Sequence, residues 1–305
     1  DDGRDCHGGP APRRPACRDR RDDGRGQERV AADDGRVARD VSPAVAGGHS
    51  YGELVALAAA GALAEDDLVP LSETRARAIL GAAGDDPGAM AAVAGKGDDV
   101  RAVLATLPAE HPVVLANDNA PGQAVISGPT ASVEVAVAAL ADAGLKSKRL
   151  PVACAFHSPV VADARDALGE AVGAACVAPP AFPVWSNTTA APYPEAVDDV
   201  RSLLSNQVAE PVRWVDEIES MYAAGARVFV ESGPGRVLTH LVDRILGDRP
   251  HLAVACDTAG DHGLHRFLLP LAQLAANGVD VDLAPLFHGR DAPADPPPPA
   301  PPPAG

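Results

Sequence analysis

The spacing of apolar residues changes abruptly near Val41. Before it, Arg, Asp and Gly dominate, no Leu, Ile, Met or aromatic residue occurs, and Asp-Asp-Gly-Arg recurs at positions 1, 22 and 33. Such a stretch cannot bury enough apolar surface to offset the entropy of ordering it, so residues 1–40 read as a disordered head. The repeat lacks the spaced oxygen ligands of a calcium loop and reads as low complexity. After it, Ala44-Val45-Ala46 is a short strand-like run ending in Gly47-Gly48. Glu53–Gly61 and Asp66–Leu80 read as helices, the second with apolar positions at Leu68, Leu71, Ile79 and Leu80.

Between 86 and 149 the period alternates. Met90–Ala94, Val113–Ala116 and Ala124–Ser127 fit strands, while Val100–Leu107 and the Ala-rich Ser132–Ala143 fit helices. Lys146–Leu150 completes a strand–helix–strand–strand–helix–strand order, which suits a small split βαβ layer. After Pro151 the spacing predicts a helix over Pro159–Ala175, a strand at Phe182–Ser186 and an amphipathic helix over Val212–Ala224. Val228–Glu231 reads as a buried strand, closed by Ser232-Gly233-Pro234-Gly235 before a helix at Val237–Leu246. Leu252–Cys256 reads as the last strand and Leu264–Asn277 as a final helix, and the tail from Pro293 reads as an extended linker. The predicted organisation is an α/β core (41–85 and 150–256), an inserted α+β subdomain (86–149), a C-terminal extension (257–290) and a Pro-rich linker (291–305).

Composition narrows this picture. Hydrophobic residues make up 46% of the 305 but aromatics only 3%, so the core is built mainly from Ala, Val and Leu. A net charge of −16 argues against a nucleic-acid partner or an anionic membrane surface, either of which needs a basic face. The five cysteines are scattered with no CxxC pair, which indicates neither a zinc site nor a disulfide framework, and a reducing cytoplasm is the simplest setting. No run of about 18 apolar residues is present to span a bilayer, and the N-terminus has no apolar h-region.

The sharpest chemical signal is Gly48-His49-Ser50-Tyr51-Gly52, a G-x-S-x-G between a predicted strand and a predicted helix. That context is what a nucleophile elbow needs: a strained turn lifts the Ser50 hydroxyl clear, and the Tyr51 N–H faces a developing oxyanion. A serine hydroxyl needs a base, usually histidine. Among nine His residues, His157 stands out, because Cys154-Ala155-Phe156-His157-Ser158 ends an apolar run just before a helix. His49 belongs to the elbow, with its side chain expected to point away from Ser50. The Gly-Pro-Gly at 233–235 lacks the third glycine and the early position of a dinucleotide fingerprint and reads as a structural turn.

Gly48-His49-Ser50-Tyr51-Gly52-Glu53, followed by Ala59-Ala60-Gly61-Ala62-Leu63, resembles the malonyl-CoA:acyl-carrier-protein transacylase family, which includes the acyltransferase domains of polyketide and polyunsaturated fatty-acid synthases. Further blocks agree in order: Arg75, Asn117–Gln123 with Ile126-Ser127-Gly128, Ala155-Phe156-His157-Ser158, Gln207 with Pro211–Trp214, and Glu231–Leu238. The resemblance covers residues 41 to about 255. It implies an α/β-hydrolase-like core with a parallel sheet and an inserted ferredoxin-like subdomain. It also implies ping-pong transfer of a malonyl group from malonyl-CoA to the phosphopantetheine thiol of an acyl carrier protein, without a bound cofactor or metal. By the same resemblance Ser50 and His157 are catalytic, Tyr51 supplies the oxyanion hole and Gln207 lies in the stretch whose backbone carbonyl orients the histidine. Arg75 grips the malonyl carboxylate, and Asn119 and Phe156 line the substrate site. Phe156 leaves little room for an α-methyl branch, where methylmalonyl-accepting relatives have Ser; Cys154 replaces the usual His. Partners implied are the carrier protein and neighbouring synthase domains.

The family's Gly-Gln-Gly type loop, which supplies a second oxyanion donor, has no counterpart in residues 1–40, so a truncated or mispredicted start is expected. Two rival readings remain at this point: a generic α/β serine esterase with Asp118 as third member, and an inactive docking fragment.

Overall fold

A computed structural model describes residues 43–257 and 263–287; the head, the linker and the expectations for them lie outside the described residues. The chain runs α1 (Gly52–Ala59), α2 (Glu65–Ala82), β1 (Ala89–Ala94), α3 (Gly97–Leu104), β2 (Val114–Ala120), β3 (Gln123–Gly128), α4 (Thr130–Asp142) and β4 (Lys146–Arg149). It continues with α5 (Ala164–Ala174), β5 (Trp185–Ser186), β6 (Ala191–Pro192), α6 (Val197–Asn206), α7 (Trp214–Ala223), β7 (Val228–Glu231), α8 (Val237–Leu246), β8 (Leu252–Ala255) and α9 (Gly263–Ala276).

The inserted segment forms one antiparallel sheet in the order β2-β3-β1-β4, with Met90 opposite Ser127 and Ala92 opposite Lys148. The inner strand β1 is buried along most of its length, and α3 and α4 cover the sheet through Val100, Val133, Ala136 and Leu140. A second cluster joins α1, α2, α5 and α6 through Leu54, Leu57, Leu71, Ile79, Leu168 and Leu204. A third joins α7 and α8 to Val45, Trp185 and Phe229. Small residues let these helices approach closely, which is how a core poor in aromatics still packs.

Several expectations need correction. Ala44–Ala46 is not a strand: Ala46 alone makes a parallel bridge to Val184, exchanging hydrogen bonds with Pro183 and Trp185. The strand expected at Phe182–Ser186 shrinks to Trp185–Ser186, and among the described residues the core's parallel pairing is confined to β7–β8 and isolated bridges. Pro159–Ala175 is not one helix. A 3-10 turn at Pro159–Val161, started by the Ser158 hydroxyl accepting from the Val160 N–H, precedes α5. β7 is not buried. Among the described residues it pairs only with β8, and its inward Phe229 alternates with exposed Val228 and Val230, as a strand covered on one face must. Cys154 and Cys256 are free thiols but Cys176 is disulfide-bonded, which corrects the reading of the cysteines. Among the described residues no helix is long and apolar enough to cross a membrane.

Candidate active site

The turn before α1 carries backbone strain at the residue expected to react. Ser50 has φ of 54°, rare outside glycine, a conformation that costs about 1–3 kcal/mol and persists only where the surroundings hold it. The glycines play unequal parts. A Cβ at Gly48 would lie 2.0 Å from the Gly52 carbonyl carbon, whereas one at Gly52 would meet nothing. Gly48 is required for close backbone approach, and the left-handed turn falls on the serine itself.

His157 also has a positive φ, 55°, so the two side chains meet from two strained backbones. The Ser50 Oγ lies 2.7 Å from His157 Nε2. On the other side of the ring, Nδ1 lies 2.9 Å from the Glu210 carbonyl and 3.3 Å from that of Gln207. Carbonyls only accept, so the ring proton sits on Nδ1 and Nε2 turns its lone pair to the serine. Glu210, not named in the sequence reading, is thus the closer orienting carbonyl; its nearness to Gln207 was the available signal. Burial, reinforced by the Arg75 guanidinium and opposed by the Glu210 carbonyl, pushes the His157 pKa down to about 4. The imidazole is therefore neutral at pH 7 and able to take a proton.

Arg75 lies one turn beyond Ser72 on α2, and it is buried rather than exposed. Its Nε has no hydrogen-bond partner, and among the described residues no carboxylate forms an ion pair with it. Burial lowers its pKa, while the nearby Glu53 carboxyl, the Tyr51 phenol and the Cys154 thiol act in the opposite direction. Tyr51 donates to the Ser72 hydroxyl at 2.6 Å, which in turn donates to the Leu68 carbonyl. The Tyr51 N–H makes no hydrogen bond among the described residues. Phe156 is wedged between the main core and the Met90, Ala116 and Val125 cluster of the inserted sheet.

Asn119 is brought to the elbow by another route than expected: its Oδ1 lies 2.7 Å from His49 Nε2. His49 packs edge-on against Trp214 at 5.4 Å between centroids, and burial lowers its pKa against the pull of Asn119. Gln207 uses its side chain as well, donating from Nε2 to the Ser50 carbonyl at 2.8 Å. Asp118 does not join the group. It pairs with Arg101 in a separate cavity of about 400 Å³ lined also by Arg213 and Asp216, while carbonyls hold His157. That geometry removes the esterase triad through Asp118.

Behind the elbow lies a polar network that the sequence reading missed. Asn187, Glu53 and Glu217 are all fully buried. The Asn187 N–H donates to Glu53 Oε1 and its Nδ2 to Glu217 Oε2, both at 2.6 Å. Burial raises the Glu53 pKa to about 7, against the Asn187 N–H that lowers it. Burial and then the Glu53 charge raise that of Glu217 well above the carboxylate range. The one available signal was a polar run, Ser186–Thr189, straight after an apolar strand, where sites in α/β sheets collect.

The acyl transferase domain family matches residues 31–281. The polyketide biosynthesis protein ThaF of Burkholderia thailandensis is 38% identical over 206 residues, 67% of this chain and 17% of that protein, so the chain spans under a fifth of that relative. The malonyl CoA-acyl carrier protein transacylase of Haemophilus influenzae is 34% identical over 233 residues, 75% of this chain and 73% of that one. Among solved structures, the acyltransferase domain from the second module of the salinomycin polyketide synthase superposes with a TM-score of 0.74 at 34% identity, covering 83% of this chain and 60% of that chain.

Proposed function

The chain belongs to the acyl transferase domain family, and from that membership we propose that it moves a malonyl group from malonyl-CoA to the phosphopantetheine thiol of an acyl carrier protein, in fatty-acid or polyketide synthesis. The observation that carries this reading is the Ser50–His157 hydrogen bond of 2.7 Å beside a buried guanidinium, Arg75, with which no carboxylate of the described residues forms an ion pair. A serine–histidine pair alone would serve any acyl transfer. A vacant buried cation next to it calls for an acyl group with its own carboxylate.

The steps follow from the geometry. His157 Nε2 takes the Ser50 proton as Oγ attacks the thioester carbonyl, and the Tyr51 N–H faces the oxyanion. The carbon–sulfur bond breaks, CoA leaves as a thiol with the proton from His157, and malonyl-Ser50 remains. The carrier thiol then enters, gives its proton to His157 and attacks the ester, and Ser50 regains the proton as its oxygen leaves. Arg75 holds the distal carboxylate through both halves, and Asn119, fixed by His49, borders the acyl site. The cycle uses no resident cofactor and suits a cytoplasmic setting beside neighbouring synthase domains.

The finer architecture belongs to the same reading. We take residues 41–290 as one acyltransferase domain with an α/β-hydrolase-like core. The βαββαβ order of residues 89–149, with strands in the order β4-β1-β3-β2, supports a ferredoxin-like subdomain there.

The direct test is covalent capture. Incubation with radiolabelled malonyl-CoA should place one label on the chain, chased off by a carrier protein bearing phosphopantetheine, and Ser50→Ala should abolish it. An unlabelled wild-type chain would overturn the proposal. Phe156 sets a second expectation: Phe156→Ser removes a ring from the acyl site, so the methylmalonyl-to-malonyl ratio of ester formed from an equimolar mixture should rise. A methyl group in an apolar pocket is worth roughly 10- to 200-fold, which bounds the change.

A further inference from the structure

Asn187 has no part in the steps above, yet all of its polar atoms are engaged. Its Oδ1 accepts the Ser50 N–H at 2.5 Å, and its Nδ2 donates to the Gly48 carbonyl at 2.8 Å as well as to Glu217. Its backbone N–H donates to Glu53, and its carbonyl accepts from the Arg213 N–H at 3.0 Å. The amide has one possible orientation, because the Gly48 carbonyl only accepts and the Ser50 N–H only donates. Glu217 packs behind: its Oε1 has no hydrogen-bond partner and lies 2.5 Å from where a Cβ on Gly47 would be.

We propose that Asn187 is a positioning residue for the nucleophile, clamping the backbone at Gly48 and at Ser50 so that the serine stays in its left-handed conformation with Oγ on His157 Nε2. Three observations carry it. The residue held is the one with φ of 54°. The clamp comes from β5 and its turn, more than 130 residues along the chain, so local sequence does not enforce it. Gln207 grips the Ser50 carbonyl from the other side, so both backbone polar groups of the nucleophile are held by buried side chains. The inference rests on the reading of Ser50 as nucleophile but not on the identity of the acyl group.

The test labels Ser50 with two reagents: malonyl-CoA, and a fluorophosphonate, from which the serine oxygen displaces fluoride. Asn187→Ala should lower the maximal labelling rate by both about 100-fold, the size expected for a reacting group displaced by about 1 Å. The concentration of malonyl-CoA giving half that rate should stay within about twofold, since Arg75 and Phe156 are untouched. Asn187→Asp adds a readout that a purely structural role would not move. As a neutral acid it presents a carbonyl to the Ser50 N–H and an O–H to Gly48; as a carboxylate it has no proton to donate and is repelled by its neighbours. Those facing it are Glu53 from α1 and Glu217 from α7, with Tyr193 beside Glu53 and Arg213 paired to Asp216. Labelling of Asn187→Asp relative to wild type should therefore climb as pH falls from 8 to 5.5. An undiminished maximal rate in Asn187→Ala, or a relative rate for Asn187→Asp that is flat with pH, overturns the proposal. If Asn187→Ala does not fold, the pH series on Asn187→Asp decides alone. Should malonyl-CoA leave the wild type unlabelled while fluorophosphonate labelling still depends on Asn187, the acyl-group reading falls and this one stands.

Discussion

Replacing His157 with alanine lowers the rate of Ser50 acylation on the order of 10⁵- to 10⁶-fold, the loss expected when one member of a serine–histidine pair acting as a unit is removed. Among the described residues the Ser50 Oγ hydrogen-bonds to His157 Nε2 alone, at 2.7 Å, and the two carbonyls behind the ring aim that nitrogen. Because the pair works as a unit, overall malonyl transfer to the carrier thiol in Ser50→Ala with His157→Ala should be scarcely slower than in either variant alone. The wild type has its own signature. A base with a pKa of about 4 is deprotonated throughout the neutral range, so the acylation rate should show no loss of base as pH falls from 8 to 5 and should decline only as pH approaches 4. An ordinary imidazole would lose half its activity near pH 6.5. Single-turnover labelling across that range checks both statements, and a midpoint near 6.5 would mean that His157 is not held in the buried setting described.

The second large effect is at Arg75. Arg75→Ala should lower kcat/KM for malonyl-CoA while leaving acetyl-CoA, which has no distal carboxylate, almost unchanged. Truncating one partner of a buried charge pair costs about 2–5 kcal/mol, roughly 30- to 5000-fold. The guanidinium is the buried cation of this cleft, already short of a partner at Nε, so a bound carboxylate gains a bidentate fork and relieves an orphaned donor at once. Arg75→Lys should recover only part of the loss, since an ammonium is a point charge without the fork. Competition between the two thioesters reads the preference directly. A variant that loses both substrates equally would place Arg75 in the scaffold rather than at the carboxylate.

Glu53 shows how far the site's chemistry reaches into the core. Its pKa near 7 lies above that of an unfolded glutamate, so folding favours its protonated form. The stability linked to that proton is fully present below about pH 4.5 and is lost as pH rises through 7. The same carboxyl accepts the Asn187 N–H, which ties the state of the elbow to a group that never meets substrate.

What could be read along the chain was whatever neighbours in sequence carry out together. Gly48–Gly52 announces an elbow because a strained turn is a five-residue event, and Ala155–Ser158 announces the histidine because it interrupts an apolar run. The inserted sheet was legible for a related reason: the periods of two and 3.6 switch on schedule between 89 and 149, each element burying one face within the insert. Misreadings fell where pairing partners are remote. Whether Ala44–Ala46 is a strand, or Val228 and Val230 are buried, depends on which segments lie alongside, and an apolar run looks the same in either case.

Residue types and their order thus decided the family and pointed to Ser50 and His157 as candidates, because each of the two sits in a local pattern with its own physical demand, while Arg75 entered through the resemblance alone. Only the folded chain decided that Asn187 and Glu217 belong to the site, that Glu210 supplies the nearer carbonyl, and that Asp118 stands apart. A polar side chain acquires its role from what is buried against it, and those contacts, spanning 30 to 139 residues, are set by packing rather than by spacing.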